Sequence, residues 1–149
     1  MPKPLSMILH ASCVAIDGRA VVLTGASGSG KSALALQLIA LGASLVADDR
    51  TIVTGSAQGL RATCPERLAG LIEARGVGIM HAPHTPRARV VLAIAMDQAE
   101  TERLPSPRSV TWCGHMLPLL HNPQASYFPA AIHTYLRMWR DDRSPLLSN

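Results

Sequence analysis

The sequence predicts an α/β protein in which a P-loop adjoins a mixed β-sheet with flanking helices. Three features predict this class: strand-like apolar segments that open the chain, a glycine-rich segment at residues 25–32, and a helical pattern directly after it. A chain of 149 residues has the usual size of one domain. We therefore expect a single P-loop domain over residues 1–141 and a flexible C-terminal tail over residues 142–149.

The chain is expected to open with a β-hairpin. Residues 9–16 and 20–24 are rich in Val, Ile, Leu and Ala, as strands often are. The dipeptide Asp17-Gly18 separates them, and such a pair favours the tight turn between antiparallel strands.

A helix and two strands are expected after the glycine-rich segment. Apolar residues recur at helical spacing from Ala33 to Leu41, and Gly42 is a suitable C-terminal stop. The apolar composition of residues 44–47 predicts a buried strand, and residues 50–54 predict another.

The second half of the chain mixes helices, strands and one polar segment. Residues 65–74 place apolar side chains on one side of a predicted helix, and residues 89–96 predict a strand. Two prolines and many polar residues predict an exposed loop over residues 97–108. Edge strands are expected within residues 110–120, and an amphipathic pattern predicts a C-terminal helix over residues 127–140.

The composition excludes several classes of protein. The clearly apolar stretches run for about seven residues, against the roughly 20 that a membrane helix needs, so we expect no membrane partner. The three cysteines are far apart, which predicts neither disulfides nor a zinc site. The net charge of +4 comes from scattered basic residues and only 3% of residues are aromatic, which argues against a nucleic-acid partner. We expect a cytoplasmic protein.

Residues 25–32 match the whole phosphate-loop pattern GxxxxGK[ST]. The backbone N–H groups of such a loop surround the phosphates, its lysine reaches the β- and γ-phosphates, and its final hydroxyl binds Mg²⁺. We therefore expect a nucleoside triphosphate and Mg²⁺, with Ser32 on the metal. The predicted cofactor-binding residues are Gly25, Ala26, Ser27, Gly28, Ser29, Gly30, Lys31 and Ser32.

Asp48 and Asp49 end the predicted strand at residues 44–47, where ligands of α/β sheets bind. Side chains alternate along a strand, so one carboxylate can face the phosphates while the other braces a neighbour. One of the two is a candidate base that accepts the proton of an attacking hydroxyl. A carboxylate that only holds the metal and a solvated turn are the alternatives.

Four further residues are candidates with ordinary alternatives. His10 lies on the strand before the P-loop strand and could stand beside a carboxylate, although a lone histidine is more often structural. Glu73 and Arg75 lie beside glycine-rich backbone, either as a metal-side carboxylate and a cation or as a solvated helix end. Arg103 lies on the polar loop, either as a phosphate-binding residue or as an ordinary exposed arginine.

Taken together, these residues resemble an ordered family signature. His10, the P-loop, the pair Asp48-Asp49 and the segment IEARGVGI at residues 72–79 are similar to the signature of the HPr kinase/phosphorylase family. The resemblance implies the catalytic domain of that family, in a short form without the family's N-terminal domain.

The resemblance also implies roles for single residues. Asp48 would take the proton of a seryl hydroxyl in the kinase reaction and return it in phosphorolysis, and His10 would interact with the acidic pair that includes Asp49. Arg103 would take part in dephosphorylation. The metal-binding positions would be Ser32 and Glu73.

The implied substrate is a serine of the phosphocarrier protein HPr in the bacterial phosphotransferase system. The family would phosphorylate it with ATP and dephosphorylate it by attack of inorganic phosphate, which yields pyrophosphate. The resemblance further implies a homo-oligomer, a hexamer in this family. A small-molecule P-loop kinase and a non-catalytic nucleotide-binding regulator are the two alternatives.

Overall fold

Ten strands, two α-helices and one short 3-10 helix at Glu66–Leu68 form the protein, which a computed structural model describes over residues 5–147. Residues 1–4 of the predicted domain and residues 148–149 of the predicted tail lie outside the described residues. The strands and helices, in chain order, are β1 Ser6–Ile16, β2 Arg19–Thr24, α1 Lys31–Ala40, β3 Ser44–Ala47, β4 Arg50–Ser56, β5 Gly59–Thr63, β6 Leu71–Ala74, β7 Gly78–His81, β8 Arg87–Ala99, β9 Arg108–Trp112, β10 His115–Asn122 and α2 Phe128–Met138.

The opening hairpin is confirmed. β1 and β2 pair antiparallel, and the pair of Ile16 with Arg19 closes the turn. Asp17 and Gly18 have φ angles of 50° and 79°. Two consecutive positive φ angles define the turn whose twist matches that of antiparallel strands, and Asp-Gly accepts them at little cost.

β3 and β4 pair with successive parts of β1. Cys13 is opposite Ala47 in β3, and His10 is opposite Arg50 in β4. The two residues between these strands are Asp48 and Asp49, so the acidic pair lies beside the middle of β1. The sheet, rather than a free loop, therefore fixes their position.

The sheet is mixed and closes on itself. The strand order is β2-β1-β4-β5-β8-β10-β9, and β2 also pairs with β8, which makes a ring of five strands. β8 is parallel both to β2 and to β10. The other neighbours in the ring pair antiparallel: β1 with β2, β1 with β4, β4 with β5, and β5 with β8. The carboxyl ends of β2, β8 and β10 therefore meet at one edge of the sheet. The predicted α/β class with a mixed sheet is confirmed.

Side-chain alternation along the strands divides the core into two clusters. In β1, Ala11 and Cys13 belong to a cluster of mostly small residues shared by the ring strands. Val14 belongs to the second cluster, which α1 and α2 cover with Leu38 and Leu136 among other side chains. Small side chains suit the confined interior of a closed ring, while larger ones fill the space under helices.

The helix predicted over residues 65–74 is wrong. Only Glu66–Leu68 is helical, and Leu71–Ala74 is strand β6, which forms a hairpin with β7. Gly70 has a φ of 75°, a left-handed conformation that ends any helix at this point. The apolar spacing of Leu68, Leu71 and Ile72 fitted a helix, but pairing with β7 decides the outcome.

The loop predicted over residues 97–108 is wrong at both ends. β8 continues to Ala99, because β10 pairs with it up to that residue, and β9 already begins at Arg108. Edge strands were expected within residues 110–120, and β9 is one, but β10 lies between β8 and β9.

The C-terminal helix is confirmed as α2, and the chain after it contacts the sheet. The ring of Trp139 lies under the guanidinium of Arg89 in β8, 5.0 Å from the ring centroid. The same arginine donates to Asp142 at 2.6 Å, and Arg19 donates to the Trp139 carbonyl. The predicted flexible tail over residues 142–149 thus has at least one contact at its first residue. No helix among residues 5–147 has the length and apolar character needed to cross a bilayer.

Candidate active site

The P-loop connects β2 to α1, and its backbone conformation depends on glycine. Gly25, Gly28 and Gly30 have φ angles of 135°, 82° and 97°. A Cβ atom on Gly25 would also lie 2.7 Å from Ser29 Oγ and 3.1 Å from the Asp97 nitrogen. The loop therefore has no room for a side chain at its first position, and it leads directly into the N-terminus of α1, where free N–H groups attract anions.

Lys31 is the first residue of α1 and is only 6% exposed. Its Nζ atom donates to the carbonyl oxygens of Gly25 at 2.7 Å and Ala26 at 3.1 Å. Neutral carbonyls compensate a buried ammonium only in part, because a buried charge is stabilised best by an opposite charge. An anion bound in the loop would supply that charge.

Asp48 is held against the start of α1 by three hydrogen bonds. Its Oδ1 atom accepts from Ser32 Oγ at 2.7 Å and from Ser12 Oγ at 2.8 Å. Its Oδ2 atom accepts from the backbone nitrogen of Glu73 at 3.1 Å. The donors belong to α1, β1 and β6, so three separate parts of the fold orient one carboxylate beside the P-loop.

Asp49 points to a different partner. His10 Nε2 lies 2.7 Å from Asp49 Oδ1, and the two side chains are 51% and 65% exposed. Asp49 has a φ of 67°, a left-handed conformation that aspartate tolerates better than most residues. The acidic pair thus divides as the sequence predicts: one carboxylate faces the P-loop and the other braces a neighbour.

A cleft of about 440 Å³, here called the Asp49 cleft, opens between the P-loop and the β6–β7 hairpin. It brings together Lys31 and Ser32 of the P-loop with Asp49, Glu73 and Arg75. The complete lining is Ser27, Gly28, Gly30, Lys31, Ser32, Ala33, Leu36, Asp49, Glu73, Ala74, Arg75 and Val77. The cleft therefore joins the loop, one carboxylate of the acidic pair and the IEARGVGI segment.

The oxygen atoms around this cleft fit Mg²⁺. Ser32, Asp48 and Glu73 offer hydroxyl and carboxylate oxygens, which are the ligands that hard cations prefer. Residues 5–147 contain no group of three His, Cys, Asp or Glu side chains arranged around one point. Such a sparse set suits Mg²⁺ held mainly by phosphate oxygens and water, and does not suit a metal that needs a full protein cage.

Arg103 is the predicted site residue that the structure does not bring to the P-loop. It is exposed in the loop between β8 and β9, and it lines neither of the two clefts found around the P-loop. Arg108 donates to Glu100 at the base of that loop, and this hydrogen bond is the main reason why the pKa of Glu100 lies below its ordinary value. The role of Arg103 in dephosphorylation stays a prediction.

Sequence reasoning missed three residues near the site. Ser12 is fully buried between the apolar residues Ala11 and Cys13 of β1, and a polar residue at such a position was the signal that could have revealed it. Asp97 accepts the Ala26 N–H through Oδ2 at 3.2 Å, and its place directly after the strand predicted over residues 89–96 was a similar signal. Cys64 gave no signal, but burial and then the charge of Asp48 raise the pKa of its thiol.

The chain is similar to known proteins in sequence and in fold. Residues 5–95 match the family model described as HPr Serine kinase C-terminal domain. The HPr kinase/phosphorylase of Stenotrophomonas maltophilia (strain K279a) is 46% identical over 76 residues, which are 50% of this chain and 24% of that protein. The HPr kinase/phosphorylase of Xylella fastidiosa (strain M12) is 46% identical over 77 residues, which are 51% of this chain and 24% of that protein.

A solved structure has the same fold. The Hpr(Ser) kinase/phosphatase from Coxiella burnetii superposes with a TM-score of 0.75 and 28% sequence identity, over 88% of each chain. The sequence matches, in contrast, span only about a quarter of the length of the two curated relatives, 24% in each case.

Proposed function

The chain belongs to the HPr serine kinase C-terminal domain family, and from this premise we propose that it is a serine protein kinase for an HPr-type phosphocarrier protein. ATP is the proposed phosphoryl donor, and regulation of the bacterial phosphotransferase system is the proposed role. The observation that carries the proposal is the hydrogen bond of 2.7 Å between Ser32 of the P-loop and Asp48. It joins a phosphate-binding element to a carboxylate that can accept a proton.

In the forward reaction the seryl oxygen attacks the γ-phosphorus of ATP. The bond from that phosphorus to the β,γ-bridging oxygen breaks, ADP leaves, and the seryl proton passes to Asp48. Lys31 leaves the two loop carbonyls and neutralises the phosphate charge, as the N–H groups at the start of α1 do. Bound Mg²⁺, held by Ser32 with Glu73 nearby, would add further charge neutralisation.

In the dephosphorylation reaction, which is separate from the reversal of the kinase step, we propose that inorganic phosphate attacks the phosphoserine. A phosphate oxygen forms a bond to the phosphorus, the bond to the seryl oxygen breaks, and Asp48 returns its proton to that oxygen. The products are serine and pyrophosphate. We propose from the family resemblance that Arg103 takes part in dephosphorylation. We also propose that Arg75, which lines the Asp49 cleft, contributes a positive charge there.

His10 and Asp49 are proposed to act as a pair. The 2.7 Å contact orients the exposed Asp49 carboxylate in the lining of the Asp49 cleft. By engaging one oxygen of Asp49, His10 would leave Asp48 as the carboxylate that accepts the seryl proton. A cytoplasmic location and assembly into a homo-oligomer, hexameric by family resemblance, stay predictions.

The decisive experiment is a transfer assay with purified protein. Incubation with ATP, Mg²⁺ and HPr-type proteins should add one phosphoryl group to a serine, as measured by intact mass and peptide mapping. Phosphorylation of a small metabolite with unmodified HPr would favour the small-molecule kinase. Nucleotide binding without any transfer would favour the non-catalytic regulator.

A further inference from the structure

A second cleft, here called the Asp97 cleft, lies on the other side of the P-loop and has a volume of about 370 Å³. We propose that it binds the nucleoside part of the donor nucleotide, an inference that rests on the proposed use of a nucleoside triphosphate. Ser27 and Gly28 line both clefts. A triphosphate that follows the loop would thus have its reacting end in the Asp49 cleft and its nucleoside in the Asp97 cleft.

The position of the cleft in the sheet supports this assignment. It lies where β8 and β10 end, next to the end of β2, and these three strands run in the same direction. Ligands of α/β sheets bind outside the carboxyl ends of such strands. A volume of about 370 Å³ also falls within the range of small-molecule pockets.

The charges on the two sides of the loop differ. Asp97 Oδ2 accepts the Ala26 N–H, while Oδ1 has no hydrogen-bond partner among the described residues. A carboxylate repels phosphate but accepts hydrogen bonds from hydroxyl groups. Lys31 lies in the Asp49 cleft. Phosphates are therefore favoured on the lysine side and ribose hydroxyls on the Asp97 side.

The turn after β10 offers a group suited to a base. Asn122 uses both ends of its amide: Nδ2 donates to the Met96 carbonyl at 3.1 Å, and Oδ1 accepts from the Gln124 nitrogen at 2.9 Å. This holds Gln124 in a left-handed conformation, with a φ of 56°. The side-chain amide of Gln124 is exposed and has no partner within residues 5–147. An amide has one donor and one acceptor side by side, the pattern that pairs with the edge of a base.

The test compares ATP with inorganic tripolyphosphate, which has the phosphates but no nucleoside. We would measure the binding of both by calorimetry in Mg²⁺ for the whole chain and for Gln124→Asn. Asparagine tolerates a positive φ and withdraws the amide by one methylene. We expect ATP binding to weaken roughly 3- to 10-fold, with tripolyphosphate binding unchanged. Asp97→Asn should weaken ATP binding by about tenfold without weakening tripolyphosphate.

Gln98→Asn is the matched control. It makes the same change of side chain as Gln124→Asn. Gln98 follows Asp97 in β8, so its side chain lies on the opposite face of the strand, and it does not line the Asp97 cleft. Gln98→Asn should change neither affinity. The proposal is overturned if Gln124→Asn and Asp97→Asn leave ATP binding unchanged, or if they weaken both ligands equally.

The result also separates this proposal from the proposed function. If the wild type binds neither ligand, both proposals fail. If only ATP binding weakens in the variants but no HPr-type protein is phosphorylated, the nucleoside site is supported and the protein-kinase assignment fails.

Discussion

Asp48 and Asp49 are neighbours in sequence with very different surroundings. Asp48 accepts from Ser12, Ser32 and the Glu73 nitrogen, while the mostly exposed Asp49 carboxylate has His10 as its hydrogen-bond partner among residues 5–147. A proton acceptor must stay oriented while the substrate hydroxyl approaches. Three donors provide that orientation to Asp48, so we assign it the role of base.

Asp48→Asn should separate binding from chemistry. The amide has nearly the same shape as the carboxylate but takes up no proton, so transfer to HPr should fall by at least about 100-fold. ATP affinity should stay within about threefold of the wild type. Single-turnover transfer and calorimetric ATP binding measure the two effects.

Asp49→Asn is the comparison for that variant. It removes an exposed charge and should reduce transfer by only about tenfold, since exposed ion pairs contribute little. The opposite order, with Asp49→Asn inactive and Asp48→Asn active, would make Asp49 the base.

Lys31→Ala should weaken nucleotide binding itself. The buried ammonium lines the Asp49 cleft beside the P-loop, and charge-assisted hydrogen bonds contribute about 1.5–3 kcal/mol. We expect ATP affinity to fall by roughly 10- to 100-fold, as measured by calorimetry. Lys31→Met, which keeps the length of the side chain, should lose a similar amount. Normal binding in either variant would show that the N–H groups of the loop suffice.

At the level of secondary structure, the first position of the P-loop is the most constrained. Gly25→Ala would place a Cβ atom 2.7 Å from Ser29 Oγ, at a φ of 135°. We expect ATP affinity to fall at least tenfold, because the loop must deform to accept the methyl group. Calorimetry and circular dichroism would distinguish lost binding from lost folding.

Gly114→Ala is the control for backbone strain alone. Gly114 has a φ of 81° in the turn between β9 and β10, with nothing within 4 Å of an added Cβ. It should lower the free energy of unfolding by about 1 kcal/mol and leave ATP affinity unchanged. An equal loss of affinity in both variants would mean that the effect is not local to the P-loop.

The predictable elements were those with local signals. The Asp17-Gly18 turn, the P-loop and α1 are each encoded within a few neighbouring residues. β6 was missed because its four residues, Leu71–Ala74, become a strand only by pairing with β7. The acidic pair was found, but its partners Ser12 and Glu73 are 36 and 25 residues away from Asp48. Such contacts follow from strand pairing, which local patterns do not specify.

At the level of the whole molecule, the segment after α2 is fastened to the sheet by Trp139. Its ring packs against the helix-covered core cluster and lies under Arg89. Trp139→Ala should lower the free energy of unfolding by about 2 kcal/mol, less than a fully buried tryptophan would. Urea denaturation would measure this change.

Asp142→Ala is the matching test of the ion pair with Arg89. Both side chains are substantially exposed, so we expect a loss below about 1 kcal/mol. Equal losses in the two variants would mean that the ion pair, and not the indole ring, holds this segment.

Pairing on both sides of the acidic pair has a consequence for how this protein can change. Ala47 and Arg50 are each held in register with β1. A residue added between them would have to bulge out of the connection or shift the pairing of one strand by one position, and either change would move Asp48 relative to its three donors. The number of residues between β3 and β4 is therefore constrained by the site as well as by the sheet.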